Sequence, residues 1–239
     1  MACKPRPAPL STPAHPAEDV CLRIPIHPQG WPFIVAAVAL DAAVFALLGW
    51  PGWLLLPVAV WVVAFFRDPE RRVPQGPGLI VSPADGRLLP IAEGEPPGEL
   101  GLLPGKRRRL SIFMSVFDVH VNRVPADGAV TALAYRPGKF FNASLDKASE
   151  HNERMAVRLR LAGSSQTPVD LVFVQIAGLV ARRIVCNLRK DRPVWRGDRF
   201  GIIRFGSRLD IYLPESARIL VKEGQTVRGG ETVLADYPA

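Results

Sequence analysis

Cysteine is scarce in this 239-residue chain, with only Cys3, Cys21 and Cys186. An odd count without metal-ligand spacing argues against a disulfide framework and fits a reducing compartment. Histidine is nearly as scarce: His15, His27, His120 and His151 are too scattered to form a metal cluster, so no metal is expected. No nucleic-acid-binding motif is present, and the aromatic residues are not interleaved with the basic ones, so the net charge of +8 does not point to nucleic acid. A secretory leader is also missing, because the early basic residues precede a proline-rich stretch rather than an apolar one. Charge is almost absent between Trp31 and Phe66, where Asp41 is the only ionisable residue.

What is present divides the chain. Residues 1–66 hold three basic residues (Lys4, Arg6, Arg23) and three acidic ones (Glu18, Asp19, Asp41), so the whole positive excess lies in residues 67–239. A basic domain beside an apolar segment fits an anionic membrane surface or lipid headgroup. Residues 1–22 are rich in proline and alanine and read as disordered. Trp31 to Trp50 is long enough to span a bilayer, Pro51-Gly52 makes a turn, and Trp53 to Phe66 adds a shorter apolar run. For that second run a tilted, re-entrant or interfacial placement is open. The expectation is a helical hairpin with tryptophans at the interfaces and, by the positive-inside rule, both flanks in the cytoplasm, since Arg23 lies on one side and Arg67, Arg71 and Arg72 on the other. Asp41 should then face the other helix or another subunit. The alternative is a buried helical hairpin of a soluble protein.

From Gly78 onward the pattern becomes short β-like runs: 79–82, 87–91, 110–116, 129–135, 156–161, 169–177, 182–186, 200–205, 209–213 and 218–221. The basic run Lys106-Arg107-Arg108-Arg109 reads as a solvated loop before one of them. Pro83-Ala84-Asp85-Gly86 and Pro125-Ala126-Asp127-Gly128 form a near-repeat, each followed by a strand, which points to a pseudo-symmetric sandwich of two hammerhead-like halves.

Within this pattern Gly206-Ser207 carries chemistry. Glycine permits a strained backbone and close approach of a neighbour. A serine hydroxyl beside a strained carbonyl can attack it and move the acyl group from nitrogen to oxygen. Elimination of the ester and hydrolysis of the resulting dehydroalanine then give a pyruvoyl group. Alone, the dipeptide reads as a turn.

The pair stands at the end of an ordered series: Phe65-Phe66-Arg67-Asp68-Pro69-Glu70-Arg71, Ser82-Pro83-Ala84-Asp85-Gly86, Phe113-Met114-Ser115, Asp118-Val119-His120-Val121-Asn122-Arg123-Val124-Pro125, Asn142-Ala143-Ser144-Leu145-Asp146-Lys147-Ala148, Asn152-Glu153-Arg154, Gln175-Ile176-Ala177-Gly178 and Phe205-Gly206-Ser207. Over about residues 24–230 the chain resembles the short bacterial and archaeal, archaetidylserine decarboxylase-like form of the phosphatidylserine decarboxylase proenzyme family. The resemblance implies a mostly β, barrel-sandwich-hybrid-like catalytic domain behind a two-helix membrane hairpin. It also implies self-cleavage between Gly206 and Ser207. The products would be a large chain (1–206) and a small chain (207–239) beginning with pyruvoyl, held together as a heterodimer. The pyruvoyl ketone would form a Schiff base with the serine headgroup and act as electron sink as carbon dioxide leaves.

By the same resemblance, His120 and Asp85 work with Ser207 in cleavage, an aspartate orienting an imidazole that serves as base. Longer family forms carry a second histidine where Arg123 stands here, which leaves open how His120 divides its work. Arg123, Lys139, Asn142, Arg154 and Arg182 are the residues expected to hold substrate, with Arg183 beside them; Asn152 and Glu153 either line the site or bind backbone. The expected organisation is a polar segment (1–30), a membrane hairpin (31–66) and a decarboxylase domain (67–239) on the cytoplasmic side of the cell membrane. The tails of the lipid are not readable, so archaetidylserine or another serine-headgroup lipid is an alternative substrate. A reading of another class is a membrane-tethered lipoyl- or biotinyl-like carrier or binding module, since Asp146-Lys147-Ala148 resembles a lipoyl site and residues 221–231 a closing hairpin of that fold.

Overall fold

The computed structural model describes residues 26–139, 141, 151–163, 168–178, 183–204 and 206–238. The chain forms two compact units, Met1–Glu70 and Arg71–Ala239.

In the first unit, α1 (Trp31–Leu48) follows a 3-10 turn at Pro28–Gly30, and α2 (Leu56–Phe65) follows another at Trp50–Leu54. Each helix has a proline in its first turn, where its missing N–H costs nothing. The two ends of the hairpin meet: the His27 N–H donates to Phe66 O at 2.8 Å, and Phe33 stacks on Phe66 at 5.4 Å. The segment Pro28–Leu48 is long and apolar enough to cross a membrane, and only 6% of it is buried. A core helix of a soluble protein would be mostly covered, whereas Val35, Leu40, Leu47 and Trp53 stand exposed here. α2 has 10 residues, about 15 Å at 1.5 Å each, well short of a bilayer core. Asp41 is half-buried, its Oδ1 out of solvent and without a hydrogen-bond partner among the described residues.

The second unit is mostly β. Its strands are β1 (Leu79–Val81), β2 (Gly86–Leu88), β3 (Ala92–Gly94), β4 (Arg107–Met114), β5 (Val121–Arg123), β6 (Gly128–Arg136), β7 (Arg154–Leu161) and β8 (Asp170–Ala177). There follow β9 (Ile184–Cys186), β10 (Pro193–Val194), β11 (Arg199–Ile203), β12 (Ser207–Tyr212), β13 (Arg218–Ile219), β14 (Thr226–Val227) and β15 (Val233–Asp236). They make three open sheets: a large one ordered β10-β6-β7-β8-β12-β4-β2-β14 with β3 also on β4, and two small ones, β1-β15-β13 and β5-β11-β9. All pairings are antiparallel. The main core lies on one face of the large sheet, with Leu110, Ile112, Phe173, Leu209 and Ile211 fully buried. The other face carries a smaller cluster around Val172, Val174, Ile176 and Tyr212, covered by Leu100.

The near-repeat is a true structural repeat. β2 and β6 start at Gly86 and Gly128, and a Cβ at either glycine would collide with a backbone carbonyl, that of Phe113 or of Arg160. Only glycine allows that approach of the partner strand. The two copies also brace each other, because Val81 N–H donates to Pro125 O and Arg123 N–H to Pro83 O, both at 2.8 Å. Each aspartate accepts a remote backbone N–H: Gly229 to Asp85 Oδ1 at 2.7 Å, Arg196 to Asp127 Oδ1 at 2.8 Å. Each also faces an arginine, Arg71 at 2.7 Å and Arg196 at 3.7 Å.

The basic run corrects one expectation. Arg107, Arg108 and Arg109 are strand, not loop, and belong to β4. Their guanidinium groups do not need bulk water: Arg107 donates to Asp170 O at 2.9 Å, Arg108 to Glu215 O and Ala217 O, while β3 pairs alongside.

Candidate active site

Ser207 opens β12, the strand between β4 and β8 in the large sheet. It stands opposite Met114 on one side and Ala177 on the other, and it is fully buried. Gly206 before it has φ +51°, in the left-handed region, and nothing lies within 4 Å of where its Cβ would be. Backbone conformation, rather than crowding, is therefore what calls for glycine here. The left-handed turn feeds directly into a strand pinned on both edges, so the Gly206 carbonyl sits beside a serine that cannot drift.

On the core side of Ser207 the structure gathers polar groups. Ser207 Oγ lies 3.9 Å from Met114 Sδ, and Asn122 Nδ2 lies 3.7 Å from the same sulfur. Gln175 Nε2 donates to Asn122 Oδ1 at 2.8 Å. Asn122, Gln175 and Ser207 are all fully buried. His120 is two residues before Asn122, also fully buried, with Nδ1 3.0 Å from Asp118 O. A carbonyl oxygen can only accept, so that contact places a ring N–H at Nδ1. Asp118 itself caps the loop by accepting the Ser115 N–H at 2.7 Å.

On the other face of β12, Arg208 and Asp210 form an ion pair at 2.8 Å with side chains 1% and 0% exposed. Two residues before Gly206, Arg204 pairs by its backbone N–H with Arg183 O at 3.4 Å. Burial, and then the charge of Arg183, hold its guanidinium below the ordinary arginine value.

The expected site residues separate into groups. Gly206 and Ser207 take up the left-handed turn and paired strand just described, and the motif of His120 delivers Asn122 to the same buried cluster. The described hydrogen bonds of Asp85 go to Arg71 and Gly229, not to His120. Arg123 is buried and donates to Gly197 O at 2.9 Å, and Arg154 donates to Glu99 Oε1 at 2.8 Å, so both brace the fold. Lys139 is exposed, with its ammonium 6.0 Å from the Phe141 ring centre. Asn142 and Arg182 lie outside the described residues, as does Lys147 of the carrier reading. Asn152 resolves an open alternative: it binds backbone, donating to Ala177 O at 2.7 Å and Phe141 O at 2.8 Å while accepting from Phe141 N at 2.9 Å. Sequence reasoning missed Asn122, Gln175 and Arg204 as individuals. Gln175 did carry a signal, as the one polar residue in the apolar run Leu171–Ala177.

These features define a β-domain built around a buried serine, behind an apolar helical hairpin. A family profile described as phosphatidylserine decarboxylase matches residues 58–235. Proteins named phosphatidylserine decarboxylase proenzyme are similar along most of the chain. That of Cereibacter sphaeroides is 53% identical over 212 residues, covering 89% of this chain and 90% of the relative. That of Granulibacter bethesdensis is 53% identical (89% and 85% covered), and that of Ruegeria pomeroyi 52% (89% and 95%). The chain belongs to the phosphatidylserine decarboxylase family.

Proposed function

We propose that this protein converts phosphatidylserine to phosphatidylethanolamine, using a pyruvoyl group that it makes by cutting itself between Gly206 and Ser207. The observation that carries the reading is the setting of Ser207: a left-handed glycine before it, a fixed strand after it and a buried polar cluster beneath it. The similar proteins are named as proenzymes, which supports a processed precursor.

In this reading Ser207 Oγ attacks the Gly206 carbonyl carbon, and His120 Nε2 takes the hydroxyl proton. The peptide nitrogen of residue 207 leaves as an amine, and the Gly206 acyl group passes to Oγ. Loss of the Cα proton then breaks the Cβ–O bond, expels the Gly206 carboxylate and leaves dehydroalanine. Water exchanges the amine for a ketone and releases ammonia. Arg204, half-buried two residues before the cut, stabilises the carboxylate as it forms. Asp85 acts at one remove, by holding Gly229 and Arg71 around the start of β2.

The setting fits a pyruvoyl group, since the serine it would come from is buried and its strand is paired on both edges. When formed, that group supplies a carbonyl which takes up the substrate amine and accepts the electrons released with carbon dioxide. Lys139, Arg183 and Arg204 are the described cations best placed for the headgroup phosphate and carboxylate, with Asn142 and Arg182 kept as further candidates. Arg123 and Arg154 hold the scaffold. The hairpin keeps the domain at the cell membrane, on the cytoplasmic side if Arg67, Arg71 and Arg72 obey the positive-inside rule.

Intact mass tests the reading. Wild-type protein should consist of two chains, 1–206 and 207–239, and Ser207→Ala of one uncut chain without decarboxylase activity. A Ser207→Ala protein that still splits at this bond would remove the assignment.

A further inference from the structure

Making a ketone at residue 207 requires a water molecule at a place the fold keeps dry. Ser207 is fully buried, and its neighbours in the sheet are Met114 and Ala177. One polar atom nearby has no partner. Gln175 Oε1 is out of solvent and accepts no hydrogen bond among the described residues, although Nε2 of the same amide is bound to Asn122. Leaving such an acceptor open costs about 1–3 kcal/mol. Buried water ordinarily relieves such a group.

The register places this acceptor beside the reacting residue. Ser207 is opposite Ala177, and Leu209 is opposite Gln175, so Gln175 is the diagonal neighbour of Ser207 on the core face of the sheet. Diagonal neighbours have Cα atoms about 7–8 Å apart, within reach of a glutamine side chain. Ala177, directly opposite Ser207, takes up little of the space between. Asn122 fixes the amide by accepting from Nε2, which leaves Oε1 as the atom on offer, and Met114 Sδ joins Asn122 to the Ser207 hydroxyl.

We propose that the buried Gln175–Asn122 amide pair holds the water that completes maturation, with Gln175 Oε1 accepting one of its hydrogens. The step is balanced without an oxidant or reductant. The dehydroalanine amine tautomerises as a proton moves to the methylene carbon, giving a methyl group and a C=N bond. The held water adds its oxygen to Cα, the carbon of the C=N bond, the C–N bond breaks as the water's protons pass to nitrogen, and nitrogen leaves as ammonia. Gln175 orients the water and Asn122 positions Gln175. The inference rests on cleavage between Gly206 and Ser207 and concerns only the hydrolysis that comes after the cut.

The test tracks two events separately in the full-length protein: the cut, by intact mass, and the appearance of a ketone on the small chain, by reaction with a hydrazine reagent. Gln175→Met keeps the volume and removes the acceptor. It should still cut, and from the moment of the cut gain its ketone about ten- to a hundredfold more slowly than wild type does, the scale of losing a positioned reactant. The lagging small chain should retain nitrogen in its mass. Gln175→Glu should keep ketone formation, because a buried carboxyl favours its neutral form, whose single O–H can replace the one amide N–H given to Asn122 while its carbonyl oxygen still accepts from the water. Ketone formation at the wild-type rate in Gln175→Met overturns the proposal, and so does failure of that folded variant to cut. If Gln175→Met does not fold, Asn122→Leu is read in the same way, since it frees the Gln175 amide to turn. A wild-type chain that never cuts would instead refute the proposed function, which keeps the two failures apart.

Discussion

At the scale of single residues, roles divide by what each side chain is tied to. His120 has Nδ1 committed to Asp118 O, and as the proposed base for Ser207 its change His120→Ala should stop or greatly slow the cut, measured as the uncut fraction after purification. Asp85 makes a different prediction because its carboxylate holds a backbone N–H. Asp85→Asn keeps that acceptor and should cut at a rate close to wild type, whereas Asp85→Ala should cut slowly and melt earlier. Equal loss in both variants would show that the charge itself matters, as it would if Asp85 worked directly on an imidazole. The Arg208–Asp210 pair is set next to the reacting residue but on the opposite face. Removing one member of a buried pair costs about 3–5 kcal/mol. Asp210→Ala in an uncut Ser207→Ala background should therefore lower the melting temperature far more than a surface substitution does. A melting temperature within a degree or so of the parent would mean that Arg208 has found other compensation.

At the scale of elements, the loop carrying the short turn Gly98–Leu100 straps the outer face of the large sheet. Leu100 is buried against Val172, Val174 and Ile176, while Glu99 bonds to Arg154 at 2.8 Å and Arg136 at 3.4 Å. A hydrogen bond to its own backbone, and then Arg154, hold the Glu99 carboxyl below the usual value. A lowered pKa means a contribution present above the unfolded value, about 4.3, and lost as pH falls through the folded one. Amide exchange at residues 98–101 should therefore rise in acid before the sheet amides do. The hairpin is a second such element: a chain starting at Asp68 should be more soluble, still cut itself, and lose more activity on bilayer substrate than on a short-chain soluble one. If that chain pelleted with membranes as fully as the intact one, residues 31–66 would not be the main attachment. The elements that could be read in advance were those with a long pattern: the apolar hairpin, the alternating strands and the repeat around Asp85 and Asp127. β5, β10 and β14 are only two or three residues long, too short for alternation to show, and β4 begins in arginines whose partners come from distant loops. Ser207 was legible because a glycine announced it. Asn122 and Gln175 were not, because only the pairing of their strands brings them under it.

At the scale of the whole molecule, the proposed cut falls between β11 and β12 and leaves β12 to β15 on the small chain. That piece is woven into the large one: β12 lies between β4 and β8, β14 pairs with β2, and β15 pairs with β1. Unfolded Ser207→Ala protein should regain its structure at a rate independent of concentration, while unfolded mature protein should do so as a two-body reaction that slows on dilution. Equal, concentration-independent refolding of both would mean that the cut had not separated the pieces. The strands on either side of the left-handed turn at Gly206 pair with β4, β5, β8 and β9, all earlier in the chain, so the proposed cut can come only after those strands have met. Under the proposed self-cleavage, each severed molecule is therefore a lasting record that its chain once folded, and the proportion of uncut chain counts those that did not.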